Sequence, residues 1–131
     1  MQYMMPIYLD ENLLSESTRD QCYADSAGYA RGLHAKGKLV AVAPLQPTST
    51  ATSVRYSGAQ RLVTDGPFAE TREQLGGFFL IEANGLDEAI EIAGQIPAGR
   101  WGTVEIRPVV EIRGLPLSAQ RPADVDFAPA R

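Results

Sequence analysis

The sequence predicts an α+β domain in which an antiparallel sheet carries its helices on one face. Three observations support this. Strand-length apolar runs alternate with two helix-period stretches in the order strand, long helix, two or three strands, strand, short helix, strand. Gly and Pro punctuate most of the joins. The middle of the chain holds a hairpin signature, two β-rich segments around Ser57-Gly58-Ala59. A βαβ, hairpin, βαβ succession is the order of a ferredoxin-like sheet.

Each element has its own local reason. Tyr3–Leu9 is a strand bounded by Asp10-Glu11-Asn12, with Pro6 suited to an edge or a bulge because it cannot donate to a ladder. Ser17-Thr18-Arg19-Asp20 resembles a capping box and opens a helix to about Lys36, with Gly37 as its C-cap. Tyr23, Ala27, Ala30 and His34, with Leu33 beside them, make one face of it, and Gly28 and Gly32 would permit close packing. Leu39–Ala43 reads as a buried strand stopped by Pro44. Thr48–Thr52 leans towards β structure, Ser53–Tyr56 alternates behind it, and Gln60–Thr64 returns. Gly76–Glu82 is a strand, its paired glycines marking a bulge or a close backbone approach. Leu86–Ile96 is the second helix, with Leu86, Ala89, Ile90, Ala93 and Ile96 on one side and Asp87 and Glu88 at its positive end. Val104–Ile112 is the last strand, and Pro108 suggests a bulge or an edge there. The domain therefore spans 1–112, and the Pro- and Ala-rich stretch 113–131 reads as an irregular or disordered tail.

Composition narrows the function classes. A chain of 131 residues suffices for one domain with a real core. Sixteen acids against twelve Lys and Arg, a formal charge of −4, argue against nucleic-acid binding, which needs clustered cations. The N-terminus lacks a charged start followed by a long apolar stretch, so neither a signal peptide nor a membrane span is expected, and the cytoplasm is the expected location. One Cys and one His make a metal site unexpected, and no motif calls for a cofactor. A domain of this size has no second helix layer for the far sheet face. Tyr3, Tyr8, Phe78, Phe79 and Trp101 could supply apolar area there, so a homodimer pairing two sheet faces is the economical solution.

The turn Asp65-Gly66-Pro67-Phe68 is the most distinctive local feature. Pro67 fixes its own φ and lacks the N–H that Asp65 would normally bind in an Asx-turn. The carboxylate must then pair with the Phe68 amide, with Arg61 or Arg72, with water, or with a ligand. A device that fixes the loop is favoured over a ligand contact. Glu70, Arg72 and Glu73 read as a solvated face, His34 as a helix-end residue, and Cys22 as a small packed residue.

The stretch Val63-Thr64-Asp65-Gly66-Pro67-Phe68-Ala69-Glu70-Thr71, followed by Glu73-Gln74-Leu75-Gly76-Gly77-Phe78, resembles the DGPF-type branch of the YCII-related proteins. The Tyr3-Met4 opening, Gly37-Lys38-Leu39-Val40 and Leu86-Asp87-Glu88-Ala89 are similar too, and the resemblance covers about 1–112. It implies a dimeric α/β barrel of ferredoxin-like subunits and, through association with genes for extracytoplasmic-function sigma factors, a regulatory setting. YCII proteins proper resemble enzymes through a proposed His–Asp pair, with the His early in the first helix. The matching position here is near Ser26, and His34 lies two turns further on, so the pair does not carry over.

The expected function is thus small-molecule binding by a dimer, with Asp65, Gly66, Pro67, Phe68 and Arg72 bordering the ligand. The alternatives are an enzyme using Asp65 or His34 as acid or base, and a protein-interaction module using a sheet edge or the tail.

Overall fold

The structure, a computed structural model, describes residues 1–116. Its strands are β1 (Gln2–Leu9), β2 (Leu39–Pro44), β3 (Thr52–Ser57), β4 (Gln60–Asp65), β5 (Gln74–Glu82), β6 (Gly102–Val104) and β7 (Arg107–Pro108). The helices are α1 (Glu16–Ala35) and α2 (Leu86–Gly94), and short 3-10 turns occupy Glu11–Leu13, Thr48–Thr50 and Pro97–Trp101. The main sheet runs β2–β5–β1–β6 with β7 also on β1, and every pairing is antiparallel. This is the expected ferredoxin-like order. Strands β3 and β4 form a separate two-stranded sheet. No helix among the described residues is long and apolar enough to cross a membrane.

Burial alternates along β1, which places Tyr3, Met5 and Ile7 on the helix side with Phe79 and Ile81 of β5. Both helices cover this one face. The residues of α1 that turn inward are Cys22, Ala30 and Leu33, with Ser26 and Tyr29 half-buried between them. The buried stripe is therefore rotated from the expected Tyr23–Ala27–Ala30–His34 face, on which only Ala30 is buried. Leu33, expected beside that face, is buried as well, while Tyr23, Ala27 and His34 are exposed, in a helix with few apolar residues to fix its orientation. In α2 the core takes Ala89, Ile92 and Ala93, with Ile96 just beyond, while Leu86 and Ile90 are exposed. That helix is also two residues shorter than expected, because Pro97 starts a 3-10 turn after a loose end at Gln95.

The ends of α1 show why it has its length. Ser15, two residues before the expected cap, accepts the Thr18 amide on its hydroxyl at 3.2 Å. At the other end Gly37 (φ 72°) donates its N–H to the His34 carbonyl, and Lys38 donates to the Leu33 carbonyl. These two bonds are the Schellman pair, and they need a left-handed residue at Gly37.

Pro6 corrects the expectation of one long last strand. It lies in a central strand, not at an edge: β1 has β5 on one side and β6 and β7 on the other. The Pro6 carbonyl accepts the Glu105 amide at 3.0 Å, so its missing N–H faces that same neighbour. Strands β6 and β7 share one register along β1, with the gap at the residues opposite Met5 and Pro6. The proline removes a ladder bond there, and the last strand divides into two short pieces.

Other expectations also shift. Strand β2 is a half-buried sheet edge and not a buried strand. Thr48–Thr50 forms a 3-10 turn before β3 begins. Of the five aromatics offered for the far sheet face, Tyr3 and Phe79 are buried on the helix side. Trp101 lies in a 3-10 turn, and only Tyr8 and Phe78 stay on the far face, both half-buried. Residues 113–116 include a turn at Gly114; the rest of the expected tail lies outside the described residues.

Candidate functional site

A cavity of about 220 Å³ opens between α1 and the sheet. Its floor is Ile7 and Leu9 of β1 with Gly76–Phe79 of β5, its side wall Val42–Pro44 of edge strand β2, and its roof Cys22, Tyr23, Ser26, Ala27 and Ala30. Two sequence features make room for it. Alanines at 27 and 30 keep the roof thin, and the glycine pair lets the strands meet closely. The β1–β5 register slips between Ile7 and Tyr8, which leaves Gly76 as the bulge residue. A Cβ on Gly77 would stand 2.8 Å from the Ala43 carbonyl oxygen and 3.1 Å from the Pro44 Cα. Both expected roles of the glycine pair are therefore present.

The polar groups of this cavity are few and lie on α1. The Ser26 hydroxyl stands one turn after the Cys22 thiol, and Tyr23 adds a phenol at the exposed rim. Burial pushes the Cys22 thiol above its ordinary pKa, with Asp25 adding to the rise, against lowering by Ser26 and Arg100. Burial thus disfavours the thiolate, in keeping with a packed residue. Tyr29, outside the cavity lining, donates its hydroxyl to the Ile92 carbonyl at 2.8 Å, its ring tilted on Phe79. Burial raises the Tyr29 pKa as well.

A second, open groove of about 600 Å³ runs between α1 and α2. Gly28 and Gly32 face it, yet a Cβ on Gly32 would meet nothing within 4 Å. The helical glycines therefore do not serve the close packing expected of them. Across this groove Lys38 and Glu88 pair at 3.0 Å. Among the described residues no three His, Cys, Asp or Glu side chains converge on a point.

The residues singled out in the sequence lie elsewhere. Asp65 ends β4 and is exposed; among the described residues its carboxylate takes no hydrogen bond or ion pair. The loop is fixed by its neighbours instead. The Gly66 amide donates to the Ala51 carbonyl at 2.8 Å, and the Ser53 hydroxyl donates to the Gly66 carbonyl at 2.8 Å. Gly66 holds φ 103°, which a side chain would resist. Pro67, Phe68 and Arg72 are exposed in the β4–β5 connection, and so is Glu70. Glu73 is half-buried and accepts the Thr103 hydroxyl, so it departs from the solvated face expected of it. His34 is exposed in the last turn of α1 and is not a wall of the cavity. The structure thus brings together neither Asp65 with His34 nor either of them with the cavity walls. Of these cavity residues Ser26 carried a faint signal, as the position near which the resemblance implies a proposed His.

The YCII-related domain model matches residues 1–113. An uncharacterized protein of Rhizobium meliloti (strain 1021) is 38% identical over 114 residues, 83% of this chain and 92% of its own. Among solved structures, the chain resembles 5-chloro-2-hydroxyhydroquinone dehydrochlorinase from Burkholderia phenoliruptrix AC1100, in complex with 2,5-dihydroxybenzoquinone. That likeness has a TM-score of 0.53 at 17% identity over 86% of this chain and 97% of the other. At that identity it speaks to the fold.

Proposed function

Since this chain belongs to the YCII-related family, we propose that it is a small-molecule-binding protein, acting as a homodimer in the cytoplasm with a regulatory role tied to sigma factors. The observation that carries the binding reading is the apolar cavity of about 220 Å³ under α1. An apolar cavity of about 150 Å³ already holds benzene, so this one suits a single-ring molecule. Ser26 and Tyr23 sit where they would meet polar substituents on such a ring. The ligand of the dehydrochlorinase, 2,5-dihydroxybenzoquinone, has this size and chemistry.

The Asp65–Phe68 turn and Arg72 border the mouth in this proposal, and a chain of contacts supports it. The Leu45 amide bonds the Gly76 carbonyl at the cavity wall. Glu11 accepts both the amide and the hydroxyl of Thr48, which pins the next turn against the end of β1. Ala51 then holds Gly66. Six residues separate Leu45 from Ala51, a reach of at most about 20 Å. The unengaged Asp65 carboxylate is what favours the second reading, acid–base chemistry on the bound molecule.

Titration of the 15N-labelled protein with 2,5-dihydroxybenzoquinone and with hydroquinone tests the site. Shifts are expected at Ala27, Ala43 and Gly77, and Ala27→Trp should abolish them while changing stability by only about 0.5 kcal/mol. No shifts, or shifts confined to the groove between the helices, would overturn the proposal. An Asp65→Asn protein that binds but no longer alters the molecule would favour the acid–base reading.

A further inference from the structure

The β3–β4 hairpin is an arm without a body beneath it. Among the described residues its only extensive contacts are between its own two strands. Its register sets Val54 opposite Val63 and Tyr56 opposite Arg61 on one face, and Arg55 opposite Leu62 on the other. Val54 and Val63 are 60% and 56% exposed, Tyr56 is 68% exposed, and Phe68 at the foot of the arm is 82% exposed. A two-stranded hairpin is at best marginally stable in water unless a further layer covers it.

We propose that the Val54–Tyr56–Val63 face of this arm lies against the body of a second copy of the chain. Charge selects that occupant. From Thr52 to Asp65 the arm carries Arg55 and Arg61 against Asp65 alone, a net charge of +1; taking that from the chain's −4 leaves −5 on the rest. The arm is therefore attracted to the body of another copy and repelled by its arm. Area agrees. Tyr56 and Phe68 alone leave roughly 250–350 Å² uncovered. With the two valines, and doubled by a two-fold axis, the exclusion on both partners reaches on the order of 1,000 Å², where specific interfaces begin. The far sheet face, with Tyr8 and Phe78 half-buried, offers a second apolar surface for the same association. This inference uses no wall residue of the cavity and shares with the ligand reading only Phe68, at the proposed mouth.

Sedimentation of the wild-type chain and of a Val54→Asp/Val63→Asp variant tests it. The wild type should sediment as a dimer, and the variant should dissociate about a hundredfold more readily. A Gln60→Ser variant on the opposite face should dimerise within about threefold of wild type. Isotope-filtered NOE spectra of a mixed-label wild-type dimer need no variant, and should connect the Val54 and Val63 methyls to protons of the partner subunit. A monomeric wild type, a dimer indifferent to the double substitution, or a dimer whose arm methyls show only intramolecular NOEs would each overturn it.

Discussion

At the scale of the residue, two glycines of similar appearance do opposite things. Gly77 sits where the β5 backbone passes edge strand β2 so closely that a methyl group meets a carbonyl oxygen and a Cα, neither of which can swing aside. Gly77→Ala should cost about 1–3 kcal/mol, read from urea denaturation. Gly32 faces open groove inside a helix, so Gly32→Ala should stabilise by up to about 1 kcal/mol in the same measurement. Equal costs at the two sites would mean that the strands can part around Gly77. The sequence marks the tight position by its doubled glycine within a strand. It gives no sign at Gly32, because whether a helical glycine is crowded depends on a partner helix far along the chain.

At the scale of the element, Glu88 joins two separate beginnings. From the first turn of α2 its Oε1 accepts the Asn84 amide at 2.7 Å and the Lys38 ammonium at 3.0 Å, tying the helix start to the entry of β2. The backbone bond from Asn84, with Lys38 second, holds its carboxyl below the ordinary value of 4.5. A depressed folded pKa contributes stability above the unfolded pKa and loses it as pH falls through the folded one. The wild type should therefore melt higher than Glu88→Gln at pH 7, and the gap should close as the pH falls below 4.5. Thermal melts across that range check this; a constant gap would show that the charge is not what matters. The acidic helix start was legible in Asp87 and Glu88, but the Lys38 partner was not, since it lies fifty residues away. The same division holds elsewhere. Strand order, the hairpin and the glycine bulge follow from local patterns. The rotated α1 stripe, and with it the cavity roof, depends on which side of a weakly patterned helix meets the sheet.

At the scale of the whole molecule, the described residues form a ferredoxin-like unit that covers one sheet face with helices and leaves an arm projecting from it. If a second copy covers that arm, folding and association are linked, and stability depends on concentration. The melting temperature should rise by a few degrees for each tenfold increase in protein, about what 1–2 kcal/mol of linkage delivers in a domain of this size. Scanning calorimetry at several concentrations reads this directly. A melting temperature independent of concentration would mark the unit as self-sufficient.

Pro6 has a consequence of another kind. By withholding one proton from the ladder, it gives the sheet a perforation between β6 and β7. The short β7, with Val109 after it, can peel from β1 without disturbing β6, as a stamp tears along its holes. Residues 107–109 are thus a separate unit of opening, and the Arg107 and Val109 amides should lose protection while those of Gly102–Val104 keep theirs.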